Sequence, residues 1–295
     1  MPPSNLFGRQ PEHRLLPVML LIILFGLACL PPQGKAATPV RHQSGQERYT
    51  IGAYLEILED RDGIQTINEV SSLPLAGKFI ANHDEKPNWG FSPSVFWARF
   101  STAGNFDPNR QWLLELDYSL LDHVDIYLPQ NNGEYLRKKT GDLLPFKERE
   151  IQNRNLVVSL PQTALNGAPI YLRVHSGSTI SLPMTIWSTR AFLKNDHDEQ
   201  FLLGIYYGII LVMIIYSLLL LISLRDSSYF YHLLFIVNFG MFQLIMNGTA
   251  YEYLWPDRPL WNSNSLPMFI ALSCLGISLF TRKFLGTTER TPRLD

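Results

Sequence analysis

The sequence contains few cysteines and almost no net charge. Only Cys29 and Cys274 occur among the 295 residues, and both lie in apolar runs, so neither a disulfide framework nor a cysteine metal site is expected. The formal net charge is −1, without a basic cluster or an acidic tail, which argues against a nucleic-acid partner. Phosphate-binding loops, kinase motifs and paired metal motifs are also missing. We therefore predict no enzyme activity, no cofactor and no metal.

Charged residues are unevenly distributed along the chain. Residues 15–30 and 201–224 have no charged side chain, whereas residues 40–200 mix charges with short apolar runs. The first apolar run follows Arg9 and Arg14, precedes a segment rich in Pro, Gly and Ala, and is shorter than the roughly 20 residues needed to span a bilayer. This order predicts a signal peptide at residues 1–36, with cleavage near Ala36.

Residues 37–198 have the pattern of a β-rich domain. Short runs of alternating apolar and polar residues are separated by Pro, Gly, Asn and Asp, which is typical of antiparallel strands. Alternate side chains of a strand point to opposite faces, so the apolar positions indicate the core face. The residues predicted to face the core are Phe96, Ala98, Phe100, Trp112, Leu114, Leu116, Val124, Ile126, Leu128, Ile170, Leu172 and Val174. We predict an all-β, antiparallel sandwich for this part of the chain.

The remainder of the chain predicts a membrane region at residues 199–285. Three transmembrane helices are expected at about 201–224, 229–250 and 264–281, followed by a cytoplasmic tail at 286–295. Residues 195–200 are expected to form a polar bridge, whose acids would complement the dipole at the start of the first helix. Arg225 and Arg282 follow the first and third spans, so the positive-inside rule puts the sandwich outside. The expected location is the bacterial inner membrane, with the N-terminal domain in the periplasm.

An ordered series of segments carries a family resemblance. They are YLEILED at 54–60, VFWARF at 95–100, LDHVDIY at 121–127, GDLLPF at 141–146, GIYYG at 204–208 and NGTAY at 247–251. In this order they resemble the seven-transmembrane receptors with diverse intracellular signalling modules (7TMR-DISM), with the type 2 extracellular domain and the first three of seven helices. The resemblance implies that the all-β sandwich is a jelly-roll-like periplasmic sensor domain, similar to carbohydrate-binding modules. It also implies a cytoplasmic output module such as a diguanylate cyclase or histidine kinase. Relative to that plan, four helices and the output module are missing, so we expect a fragment, a truncated protein, or a protein that acts through others.

The faces of the strands that do not contribute to the core carry aromatic and charged residues that would suit sugar binding. Rings stack on the apolar faces of sugars, and charged groups bond to hydroxyls. The candidate ligand-binding residues are Trp97, Arg99, Glu115, Asp117, Tyr127, Tyr171 and Arg173. The competing interpretation is a solvated face with cross-strand ion pairs, in which a large Trp is simply part of the core.

The function predicted from these features is a membrane-bound signal-transduction receptor for a periplasmic, carbohydrate-like ligand. The expected partners are that small molecule, the lipid bilayer, and a second copy of the chain or other signalling proteins. The alternative is a membrane-anchored adhesion or assembly protein. A tethered periplasmic hydrolase is less favoured, because Glu115 and Asp117, roughly 7 Å apart along one strand, are its only support.

Overall fold

The computed structural model describes residues 38–287, so the predicted signal peptide and the end of the tail lie outside the described residues. Within this range the strands, in chain order, are β1 (Val40–Arg41), β2 (Arg48–Thr50), β3 (Glu56–Asp60), β4 (Ile80–Ala81), β5 (Asn88–Phe91), β6 (Val95–Phe100), β7 (Thr102–Ala103), β8 (Trp112–Leu116), β9 (His123–Pro129), β10 (Tyr135–Thr140), β11 (Leu156–Leu160), β12 (Ile170–His175), β13 (Thr179–Ser181) and β14 (Met184–Ser188). The helices are α1 (Ile67–Val70), α2 (Leu73–Ala76), α3 (Thr189–Leu224), α4 (Ser227–Met246), α5 (Thr249–Tyr253) and α6 (Pro259–Leu285).

Two antiparallel sheets form the sandwich. The larger sheet has six strands in the order β10-β9-β12-β6-β3-β4, and the smaller has four in the order β11-β8-β14-β2. Every pairing within these two sheets is antiparallel, and a hairpin joins β9 to β10. The prediction of an all-β sandwich followed by apolar helices is confirmed.

The main core lies between the two sheets. All twelve residues predicted to face it are buried, none being more than 5% exposed, and all belong to one hydrophobic cluster. The alternation of apolar side chains along β6, β8, β9 and β12 was therefore a correct guide to the inner face.

A second, smaller core covers the outer face of the larger sheet. The segment that contains α1 and α2 packs Val70 and Phe79 against Trp97, Tyr127 and Tyr171 of the sheet. The N-terminus of α1 has a capping box in which Thr66 and Glu69 satisfy each other's backbone amides. The middle of this outer face is consequently buried, and only its ends remain open to solvent.

The first membrane helix continues directly from the sandwich. α3 is 36 residues long and begins immediately after β14, with the Ser188 side chain accepting a hydrogen bond from the Ala191 amide. Residues 195–200 therefore lie inside the helix, about two turns from its start. The predicted role of their acids in the helix dipole is wrong, because the dipole acts mainly on the first turn.

Three helices, α3, α4 and α6, are long and apolar enough to cross a membrane, as predicted. α4 ends earlier than predicted because Gly248 adopts a positive φ of 71° that breaks the helix. α4 and α6 pack closely at Gly276, where a Cβ atom would lie 2.7 Å from the backbone nitrogen of Phe235. Gly204 and Gly208, a pair suited to close helix packing, have no such neighbour within the described part of the chain.

Candidate functional site

The structure does not bring the seven candidate ligand-binding residues together. Five of them, on β6, β9 and β12, point to the outer face of the larger sheet, where Arg173 pairs in register with Trp97 and Asp125. Glu115 on β8 and Asp117 just beyond it belong to the outer side of the smaller sheet instead. The two groups lie on opposite sides of the sandwich and cannot contact one small ligand.

The three aromatic candidates are buried in the second core. Trp97 is 0% exposed, Tyr171 2% and Tyr127 8%, and the Trp97 and Tyr127 rings stack 5.6 Å apart. Burial also raises the pKa of the Tyr127 hydroxyl. Arg99 lies 4.2 Å from the ring centroid of Phe79 and forms an ion pair with a glutamate of β3. These rings contact other side chains and offer no open surface on which a sugar could stack.

Glu115, which is buried, and Asp117, which is exposed, belong to one hydrogen-bond network. The Asn155 side-chain amide donates to Glu115 Oε1 at 2.8 Å and to Asp117 Oδ1 at 2.9 Å, and the Trp187 Nε1 donates to Glu115 Oε2 at 2.7 Å. Burial raises the pKa of both carboxyls. Because Asn155 bridges the two acids, the space between them is filled by protein.

A cavity of about 560 Å³ opens at one end of the outer face of the larger sheet. Arg173 lines this cavity, together with Asp125 and His175 from the neighbouring positions of β9 and β12. Arg137 and Lys139 of β10 also line the cavity. Sequence reasoning did not select these two basic residues, although the alternation of β10 puts both on the outer face.

One carboxylate organises two of the basic side chains around this cavity. Asp125, which is buried, accepts hydrogen bonds from Arg137 Nε at 2.9 Å and Arg137 Nη2 at 2.7 Å, and Arg173 Nη1 lies 4.0 Å away. The bond to Asp125 raises the pKa of Arg137. Arg173 also donates to the Gly63 carbonyl at 3.1 Å. The guanidinium groups are therefore held in fixed positions before any ligand arrives.

The cavity shares a wall with the contact between the sandwich and the membrane helices. We call residues 140–149 the coupling segment; Leu143 and Leu144 of this segment line the cavity. The Tyr251 hydroxyl, on α5 between the second and third spans, donates to the Leu144 carbonyl at 2.7 Å. The Phe146 amide donates to the Pro256 carbonyl at 3.0 Å. The turn between α4 and α6 is thus bonded to the backbone of the cavity wall.

A buried arginine strengthens this contact. The Arg149 guanidinium lies 5.0 Å from the ring centroid of Phe146 and 5.2 Å from that of Tyr251, and it donates to the carbonyls of Gly141 and Asn153. Burial lowers the pKa of Arg149 to about 10. Its contacts tie the coupling segment to α5 from inside the interface.

A carboxyl pair lies beside this arginine. Asp142 is buried, and burial together with the neighbouring Asp122 raises its pKa to about 7, although Arg149 acts in the opposite direction. Asp122 accepts a hydrogen bond from the Gly177 amide at 2.7 Å. The charge of Asp142 therefore changes near neutral pH, next to the contact with the membrane helices.

The first turns of α3 are also attached to the sandwich. Phe192 is buried in a cluster with Leu113, Val157 and Trp187. Farther along the helix, the Asn153 side chain donates to Asp196 at 2.9 Å, and Arg154 forms an ion pair with a glutamate of α3. Sequence reasoning missed the two polar contacts because each joins residues more than 40 positions apart.

No metal site accompanies these features in residues 38–287, since no three His, Cys, Asp or Glu side chains there are arranged to hold an ion. The site consists of a polar cavity, a coupling segment and two attachments to the membrane helices. Such an arrangement can bind a small polar molecule and transmit a displacement.

Comparisons with known proteins add the following. The family model for the 7TMR-DISM extracellular 2 domain matches residues 52–188, and the model for the 7TM diverse intracellular signalling region matches residues 199–295. No curated protein matches the sequence. Among solved structures, the K1 cleaved adhesin domain of Lys-gingipain from Porphyromonas gingivalis W83 aligns with 48% of this chain and 94% of its own, at 12% identity and a TM-score of 0.19. A similarity that low supports no argument about fold or function.

Proposed function

Because the chain belongs to the 7TMR-DISM family of membrane receptors, we propose that its sandwich senses a small periplasmic ligand in the cavity beside Arg173 and transmits binding to the membrane helices. The ligand class implied by the family resemblance is a carbohydrate. The sandwich lies in the periplasm and the helices cross the inner membrane. A cytoplasmic module such as a diguanylate cyclase or a histidine kinase would produce the output.

A single residue carries this proposal. Leu144 lines the cavity, and its carbonyl accepts the hydrogen bond from Tyr251 between the second and third spans. A ligand that moved the cavity wall would therefore move the acceptor of that bond. A ligand shifts the arrangement of the helices only if it binds the two arrangements with different affinity, and this shared wall offers a route to such a difference.

The two attachments of the membrane region support relative movement of the helices. α3 continues from β14 without a linker, whereas the turn between α4 and α6 is held by the coupling segment. A displacement of the coupling segment relative to β14 would thus shift α4 and α6 relative to α3. Small shifts of packed helices are a common way for receptors to switch.

The test is Tyr251→Phe in the full chain, reconstituted in nanodiscs. A fluorophore on Cys274, which is exposed on α6, reports helix movement, and Cys29→Ser prevents a second label. Galactose, galacturonate, citrate and phosphate serve as probes, and calorimetry measures their binding. We expect at least one probe to bind and to change the fluorescence. The variant should bind that probe normally but give a smaller change, because it lacks a hydrogen bond worth about 1 kcal/mol.

Tyr253→Phe is the matched control, because Tyr253 lies on the same short helix and its ring is 67% exposed. We expect the control to behave as the wild type does. An unchanged fluorescence response in Tyr251→Phe would refute transmission through this hydroxyl. Binding without any fluorescence change in the wild type would refute the receptor proposal itself.

A further inference from the structure

The cavity next to the coupling segment has an excess of positive charge. Four basic side chains line it, Arg61, Arg137, Lys139 and Arg173, whereas its acidic lining residues are Asp62 and Asp125. The lining therefore carries a surplus of two positive charges before the histidines are counted. A concave surface with a surplus of one sign of charge attracts ions of the opposite sign, so this surplus favours an anionic ligand.

The ion pairs around the cavity do not remove this surplus. Asp125 is shared between Arg137 and Arg173, so one carboxylate faces two guanidinium groups. Arg61 is paired with Glu59, which does not line the cavity, at 3.4 Å in an exposed position. Lys139 stands opposite Asp125 in the β9–β10 register, yet it forms no salt bridge with any residue that the structure describes. Lys139 and part of the charge of the guanidinium pair remain available to a ligand.

The lining also lacks the aromatic rings on which neutral sugars stack. Among residues 38–287, no Trp, Tyr or Phe lines the cavity, and the three aromatic candidates on this sheet are buried under α1 and α2. A neutral sugar would find no ring on which to stack. Besides the carboxylates of Asp62 and Asp125, the hydrogen-bonding side chains of the lining are guanidinium, ammonium, imidazole and the Thr140 hydroxyl, and the cationic ones among them donate to oxyanions.

Two histidines, His123 and His175, also line the cavity. They lie on neighbouring strands, are paired in register, and stack with centroids 6.4 Å apart. Imidazole groups can bond to hydroxyl or carboxylate oxygens. A ligand with one oxyanion and several hydroxyls would therefore match the lining over its whole width.

From these observations we infer that the cavity binds a small molecule through an oxyanion, a carboxylate or a phosphate, held by Lys139 and by the Arg137–Arg173 pair that Asp125 orients. This inference rests on the proposed sensor function and narrows its ligand from carbohydrates in general to anionic compounds. An acidic sugar and a simple anion share this chemistry. Asp125 acts as a positioning residue, because it orients the guanidinium groups and, being negatively charged itself, does not attract the anion.

The test uses the full chain in nanodiscs and calorimetry with four probes. Galacturonate represents an acidic sugar, citrate and phosphate represent simple anions, and galactose is the neutral match of galacturonate. We expect at least one anion to bind, with an affinity that falls as NaCl is added, and galactose to bind much more weakly. Preference for galacturonate over citrate and phosphate would identify a sugar acid, and the reverse a simple anion.

Substituting Lys139 tests whether the anion binds in this cavity. Lys139→Gln should weaken anion binding roughly tenfold to hundredfold, since it removes a charged hydrogen-bond donor, whereas Lys139→Arg should keep most of the affinity. Lys139 is exposed, so neither change should disturb folding. Lys78→Gln, at another exposed position outside the cavity, is the control and should bind as the wild type does.

Several outcomes would overturn the inference. They are equal affinity for galactose and galacturonate, no binding of any of the three anions, and anion binding that Lys139→Gln leaves unchanged. Failure of the oxyanion site can be distinguished from failure of the sensor function. If galactose changed the Cys274 fluorescence while no anion bound, the receptor would stand and the oxyanion site would fall. If an anion bound through Lys139 without any fluorescence change, the site would stand and the receptor would fall.

Discussion

Replacing Asp142 with Asn should change how the stability of the sandwich depends on pH. The carboxyl is buried, its Oδ1 has no hydrogen-bond partner in the described part of the chain, and it lies beside Asp122. Arg149 is the nearby cation, but it does not prevent the pKa of Asp142 from rising to about 7. Asparagine has nearly the same shape and carries no charge at any pH. The substitution therefore isolates the effect of ionisation.

The direction of the effect follows from the raised pKa. The folded protein favours neutral Asp142, so the group's contribution to stability is fully present below about pH 4 and is lost as the pH rises through about 7. A pKa difference of one unit between the folded and unfolded states corresponds to about 1.4 kcal/mol of stability. The difference between 3.8 and about 7 thus makes the folded state up to ~4 kcal/mol less stable at pH 8 than at pH 4. Asp142→Asn should remove this loss.

The assay is thermal unfolding of the full chain in nanodiscs, followed by tryptophan fluorescence between pH 4 and pH 8. We expect the midpoint of Asp142→Asn to exceed that of the wild type at pH 8 and the difference to shrink toward pH 4. Other buried acids, including Glu115, contribute equally to both proteins and cancel in the comparison. Asp84→Asn, at an exposed position, should follow the wild type. Parallel pH curves for Asp142→Asn and the wild type would refute the reasoning.

Two further substitutions test contacts at the junction with the membrane region. Gly248→Ala should expose the amides of residues 247–258 to faster hydrogen exchange, because its Cβ would lie 2.5 Å from a carbonyl oxygen of the sandwich. Gly133→Ala, also at positive φ but in open space, should leave that exchange unchanged, and equal effects would contradict the role of the clash. Asn155→Ala should lower thermal stability by about 1–3 kcal/mol at pH 8 and by less at pH 4, because burial raises the pKa of both acids it bonds and so favours their neutral forms as the pH falls. An equal loss at both pH values would contradict this account.

The strands show why local sequence was a good guide to the main core. Along β6, the alternation of Phe96, Ala98 and Phe100 with Trp97 and Arg99 distinguishes two faces, and burying one of them requires that periodicity. The same pattern could not tell whether the second face is open. That depended on the segment with α1 and α2, which lies distant in sequence from most of the strands it covers. Trp97 therefore became part of a second core.

The acids on α3 illustrate a different limit. Their composition indicated a polar stretch before the membrane span, but the start of the helix was decided by the Ser188 cap and by Phe192 docking on the smaller sheet. Gly248 similarly ended α4 before its predicted end, and its close approach to the sandwich backbone explains why a glycine is needed there. Short-range patterns cannot show contacts that form only when distant segments meet.

The sequence by itself determined that a β-sandwich precedes apolar helices and which side chains fill the space between the sheets, because periodicity and hydrophobicity act over a few neighbouring residues. The family resemblance likewise depended on local segments in their order. Only the tertiary structure decided which polar side chains share a surface. Glu115 and Asp117 lie on the outer side of the smaller sheet, whereas Arg137, Lys139 and Arg173 line one cavity at the larger sheet. The wall of that cavity contacts the membrane helices. Each of these outcomes depends on pairing between distant strands, which no local pattern encodes.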